Sequence, residues 1–136
     1  MSAGGETHRI PVRVYYEDTD FSGAVYHAAY LKFFERGRTE WLREAGIHHS
    51  ELAAQGIAFA VRSMRIEFER AASIDDLLTV TTQAETVSGA RVTLGQRILR
   101  GEQVLTSATV TVAAIRIGGG AARLPEAIRE RFASKS

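Results

Sequence analysis

The sequence predicts an α+β domain in which a five-stranded antiparallel sheet curls around one long helix. Three observations carry this. Residues 25–45 repeat their apolar side chains with helical spacing. Four later segments alternate apolar and polar residues with period two. Short stretches rich in Gly, Ser and Asp separate them. One further strand ahead of the helix brings the sheet to five.

The elements follow in order. Residues 1–8, MSAGGETH, are small and polar and read as a flexible tail without the apolar core of a secretion signal. Residues 9–133 are expected to form one domain. Arg9 to Tyr16 is β-branched and aromatic, and Pro11 places that strand at an edge or at its start. DTDFSG, residues 18–23, breaks it with turn chemistry. The long helix follows, with Tyr30, Leu31, Phe34, Trp41, Leu42 and Ala45 as its apolar stripe. Charged residues lie opposite and offer Arg36–Glu40 and Glu40–Arg43 as pairs. Gly46 stops the helix. Gly37 costs about 1 kcal/mol against Ala within a helix, which points to close packing. With Phe33, the helix carries four aromatics and is expected to be wrapped on several sides.

A short helix over His48–Gln55 precedes strands over 57–69, 77–87, 91–99 and 104–117. Residues 88–90 and 100–103 turn between the last three. Gly118 to Gly120 reads as a flexible linker, and Leu124-Pro125 opens a final helix bearing Ile128 and Phe132.

Composition narrows the function classes. Across 136 residues the net charge is +1, which gives no electrostatic footprint for a nucleic acid. There is no cysteine, so disulfides, thiolate nucleophiles and thiolate metal sites are excluded. No window is long and apolar enough to insert in a membrane, and a cytoplasmic location is expected.

The chemistry concentrates in YYEDTDFSGAVYHAAY, residues 15–30. Glu17, Asp18 and Asp20 crowd before a helix. If the strand alternation runs on, Asp18 and Asp20 share one face and Glu17 takes the other. The bland reading is helix capping and solvated loop acids, stabilised by the helix dipole by about 0.3–1 kcal/mol. Three features favour chemistry. Gly23 permits a tight turn or a close ligand. His27 and Tyr30 return toward the helix start. A helix N-terminus supplies N–H donors to developing negative charge, beside which a carboxylate is a candidate base or nucleophile. A divalent ion on Asp18, Asp20 and His27 is the rival idea, with no second ligand cluster behind it. His48 and His49 read as structural or surface residues.

The stretch from Val12 to Leu42, with weaker agreement over 59–80, resembles YbgC-type acyl-CoA thioesterases, of the 4-hydroxybenzoyl-CoA thioesterase class in the hotdog superfamily. The carrying pattern is Y-x-x-x-D-x-x-G-x-V-Y-H-x-x-Y, at Tyr16, Asp20, Gly23, Val25, Tyr26, His27 and Tyr30. The resemblance implies the sheet-around-helix fold and hydrolysis of acyl-CoA. Asp20 would be the catalytic carboxylate, as base or as nucleophile through an anhydride. The N–H of residue 27 would polarise the thioester carbonyl, and Tyr16 and His27 would orient water and substrate. Gly23, Val25, Tyr26 and Tyr30 would contact substrate. The resemblance implies no cofactor, because coenzyme A is part of the substrate. It also implies a homodimer or homotetramer with the site at the subunit interface, and for some members an association with a cell-envelope complex.

The opposite wall would be Val61, Arg62 and Ser63. Period two puts Arg62 on the apolar face with Met64, Ile66 and Phe68, where it needs an anion unless a bulge turns it to solvent. The loop departs from the family's usual Ala-Gly-Gly-Val, having Phe21, Ser22, Gly23 and Ala24. Phe21 either floors a narrower acyl pocket or packs at the dimer seam. Two other readings use the same fold: a non-catalytic acyl-binding subunit, and a hydratase built on an Asp and a His.

Overall fold

A computed structural model of the chain describes residues 7–133, with side chains to Glu130. The expected tail over residues 1–6 and the side chain of Phe132 lie outside the described residues. The elements are β1 (His8–Arg13), a single 3-10 turn (Tyr16–Asp18), α1 (His27–Glu44), α2 (His49–Ala54), β2 (Ile57–Phe68), β3 (Leu77–Val87), β4 (Arg91–Arg100), β5 (Gln103–Arg116) and α3 (Glu126–Ala133). His8 therefore opens a strand and is not tail; its imidazole lies 3.4 Å from Glu44.

The strands form one antiparallel sheet in the order β1-β3-β4-β5-β2. Pro11 sits on edge strand β1, where its missing N–H is tolerated. β2 does not pair with β3; it crosses to the far edge and pairs with β5. The inner face of β3 carries Leu78, Val80, Thr82 and Ala84, and that of β4 carries Val92, Leu94, Gln96 and Ile98, all buried. α1 packs there through Tyr30, Phe33, Phe34, Trp41 and Leu42. All four helix aromatics are buried, as the crowding of rings predicts, but Leu31 is 44% exposed and leaves the expected stripe. Of the two expected ion pairs only Arg43–Glu40 forms, at 2.8 Å; Arg36 instead lies over the Phe33 ring.

Gly37 explains how close the helix comes. A Cβ there would stand 2.8 Å from Val80 Cγ1 and 3.0 Å from Gln96 Nε2 and Thr82 Oγ1. Gln96 bridges the layers: its amide donates to Phe34 O at 3.0 Å and Thr82 Oγ1 at 2.9 Å. A buried amide with both donors used contributes to stability and fixes the helix against the sheet.

The Gly118–Gly120 stretch is a built turn and not a loose linker. Arg116 N–H donates to Gly120 O, Gly119 N–H to Arg116 O, and Ala121 bridges back to Ile115. All three glycines have positive φ, which the turn requires.

Candidate active site

The acidic stretch does not continue the strand. β1 ends at Arg13, and the 3-10 turn over Tyr16–Asp18 destroys the two-residue alternation. Asp18 and Asp20 consequently part company. Asp18 is buried, at 3% exposure, and its Oδ2 accepts the Tyr15 N–H at 2.9 Å. Its backbone oxygen accepts the Tyr26 N–H at 3.3 Å, and Lys32 Nζ stands 3.8 Å from Oδ1. It holds the loop's two ends together. Asp20 and Glu17 are exposed. The two aspartates share no common space, and no group of three His, Asp or Glu side chains gathers for a metal among the described residues.

Asp20 is held differently. Its Oδ1 accepts from Ser22 Oγ at 2.6 Å and from the Ser22 N–H at 2.8 Å. The Ser22 hydroxyl first, then the Ser22 N–H, lowers the Asp20 pKa below the ordinary carboxylate value and keeps the group ionised. The Ala24 N–H lowers it further, and the residue as a whole is exposed. Gly23 closes the turn behind it with φ +86, donating to Asp20 O at 3.0 Å. Its special role is backbone conformation, since a Cβ there would meet only Ile74 at an ordinary 3.8 Å.

The loop then feeds α1. Thr19 bridges to Val25, and buried Val25 donates to Ala72 O at 2.9 Å. Tyr26 precedes the helix without a side-chain cap, and no acid lies in the first turn. The first N–H donors of α1 are thus uncapped, beside a loop that bears a fixed carboxylate. His27 stacks on Phe68, with centroids 4.4 Å apart and planes 21° apart. Tyr30 meets the same Phe68 edge-on, and its buried hydroxyl accepts the Ala72 N–H at 2.9 Å.

A pocket of about 180 Å³ therefore brings together Val25, His27 and Tyr30 with Phe68, Glu69, Arg70 and Ala71. Tyr16, Tyr26, Asp20, Arg62 and Ser63 do not line it. Tyr16 is 78% exposed and Phe21 is fully exposed, so Phe21 floors no pocket within a single chain. Val61 lies elsewhere, in a cleft between α1 and the sheet. Arg62 does not share the apolar face with Met64. The register shifts between Val61, opposite Val112, and Ser63, opposite Thr111, leaving Arg62 as the bulged residue, exposed to solvent.

Sequence reasoning passed over Ser22 as a partner of Asp20, and Phe68 as a platform for His27. Ser22 was legible as an Asx-turn signal two residues after an aspartate. The Phe68 contact is long-range and leaves no local trace.

Residues 14–132 match the model of a family described as the thioesterase-like superfamily. The chain belongs to the thioesterase-like superfamily. This member is 49% identical to the acyl-CoA thioesterase YbgC of Haemophilus influenzae, over 79% of this chain and 80% of that one. It is 45% identical to the acyl-CoA thioester hydrolase YbgC of Escherichia coli, over 71% of this chain and 72% of that one. Among solved structures, a probable thioesterase from Bartonella henselae superposes with a TM-score of 0.85 at 48% identity, covering 88% of this chain and all of that one. The sheet wrapped on one long helix is the hotdog architecture that the resemblance implies, and this thioesterase-like chain has it in full.

Proposed function

We propose that the chain is a thioester hydrolase that converts an acyl-CoA and water to free acid and coenzyme A, with Asp20 as its catalytic carboxylate. One observation supports this above the others. The Asp20 carboxylate has a lowered pKa, is anchored by Ser22, and is carried by the loop that leads into a helix start without a side-chain cap. As a base, a carboxylate oxygen of Asp20 takes a proton from water as the water oxygen adds to the thioester carbonyl. The first N–H groups of α1 receive the oxyanion that forms. Collapse of the adduct breaks the carbon–sulfur bond and releases the coenzyme A thiolate, which regains a proton. As a nucleophile, the same oxygen would add to the carbonyl and expel the coenzyme A thiolate, forming an anhydride that water then cleaves to the acid and the free carboxylate. Tyr16 and His27 orient water and substrate, and Gly23, Val25, Tyr26 and Tyr30 border it.

A second copy of the chain completes the site. β2 is a free edge with Val61 and Phe68 exposed at 48% and 43%. Laying a second β2 beside it sets Val61, Arg62 and Ser63 of one chain against the helix start of the other.

Asp20→Asn keeps the Ser22 bonds possible and removes the charge. It should lower kcat/KM by about 10²–10⁴-fold, measured by thiol release from short, long and aromatic acyl-CoAs. Asp18→Asn, which alters a buried loop tie, should stay within about tenfold of wild type. Near-full activity in the Asp20 variant would sink the assignment.

A further inference from the structure

The cleft between the second half of α1 and the inner sheet face has a volume of about 310 Å³. Trp41, Leu42, Phe59, Val61, Leu94 and Val112 give it apolar walls, and Glu35, Thr39 and His49 border it as well. Among them stands Arg38, half-buried. Its Nη1 donates to Gln96 Oε1 at 3.1 Å, and Gln96 is itself locked by Phe34 O and Thr82 Oγ1. The guanidinium is therefore held by a neutral amide that cannot move.

That is one acceptor for a group with five N–H donors. No described carboxylate forms an ion pair with Arg38. Burial lowers its pKa, and the opposing charge of exposed Glu35 only partly restores it. The side chain nevertheless stays cationic in any working range. A fixed, partly desolvated cation on apolar walls, with donors unused, fits an anion at the end of a hydrocarbon chain.

We propose that Arg38 binds a terminal carboxylate of the acyl group, so that the preferred substrates are coenzyme A monothioesters of short dicarboxylic acids. This rests on the composite site above, in which Val61 lies opposite the partner's helix start. Val61 and Arg38 both line this cleft, so an acyl chain that passes Val61 enters the space that Arg38 borders.

Glutaryl-CoA and valeryl-CoA have the same acyl carbon count and differ in a terminal carboxylate against a methyl. Wild-type kcat/KM should favour glutaryl-CoA by about tenfold or more. Arg38→Met should lower the glutaryl value by about 10–100-fold while leaving valeryl within about threefold, and Arg38→Lys should keep part of the preference. Wild-type enzyme that cleaves valeryl-CoA as well as glutaryl-CoA overturns the assignment without any variant. So does an Arg38→Met enzyme that melts like wild type and loses both substrates equally, which would make Arg38 a scaffold or partner contact. Asp20→Asn run alongside separates the two layers. If it leaves both rates intact, the composite site fails and the Arg38 assignment with it; if it abolishes both, only the Arg38 variants decide.

Discussion

Replacing Gly37 with alanine sets two effects of opposite sign against each other. Helix propensity favours the change by about 1 kcal/mol. Packing opposes it. The new Cβ would stand 2.8 Å from Val80 Cγ1, which is β3 core and cannot swing away, and 3.0 Å from Gln96 Nε2 and Thr82 Oγ1. Overpacking of this kind costs about 1–3 kcal/mol. If Gln96 shifts, its bonds to Phe34 O and Thr82 Oγ1 weaken at a buried site, where one lost partner costs about 1–3 kcal/mol more. The net expectation is a loss of about 2 kcal/mol, and at roughly 3–5 °C per kcal/mol for this chain length Tm should fall by about 6–10 °C. Thermal unfolding by circular dichroism at one fixed protein concentration reads it. An unchanged or raised Tm would refute the claim that Gly37 exists to let the helix approach the sheet.

Ser22→Ala removes the largest influence holding the Asp20 pKa down. The folded pKa then rises toward the ordinary carboxylate value. Because the ionised form is the active one, the acid limb of a kcat/KM profile should move to higher pH, with the rate well above that limb unchanged; an unmoved limb would show that Asp20 is not the titrating group. Tyr30→Phe leaves the buried Ala72 N–H without its 2.9 Å acceptor and should cost about 1–3 kcal/mol in urea unfolding, with the slope against urea unchanged. Equal midpoints for the two proteins would show that water takes over that bond.

The fold was legible because its strands obey period two where they are half-buried. β3 is read to the residue, and β4 and β5 to within one at each end. β1 is overextended because Val14, Tyr15 and Tyr16 favour strands, while a capping interaction from Asp18 to Tyr15 turns the chain there. For Arg62 plain alternation gives the wrong face and the bulge alternative is the one observed, because a bulge resets the alternation without altering composition. Gln96 was visible as a polar residue at an inward position, yet its meaning depends on Phe34 O, 62 residues away. Within the site, the motif singles out Asp20 from its acidic neighbours, but only coordinates show that Asp18 is buried and that His27 leans on Phe68.

β2 is an edge strand, and edges are where chains stick together. Its twelve residues, Ile57–Phe68, are paired on one side only, and the other side offers a row of N–H and C=O groups. No proline interrupts that row, and the bulge at Arg62 is its one irregularity. A single chain therefore presents a long margin open to strand addition. Straightening the bulge by deleting Arg62 should make that margin more receptive to other strands, so that fibre growth competes with refolding.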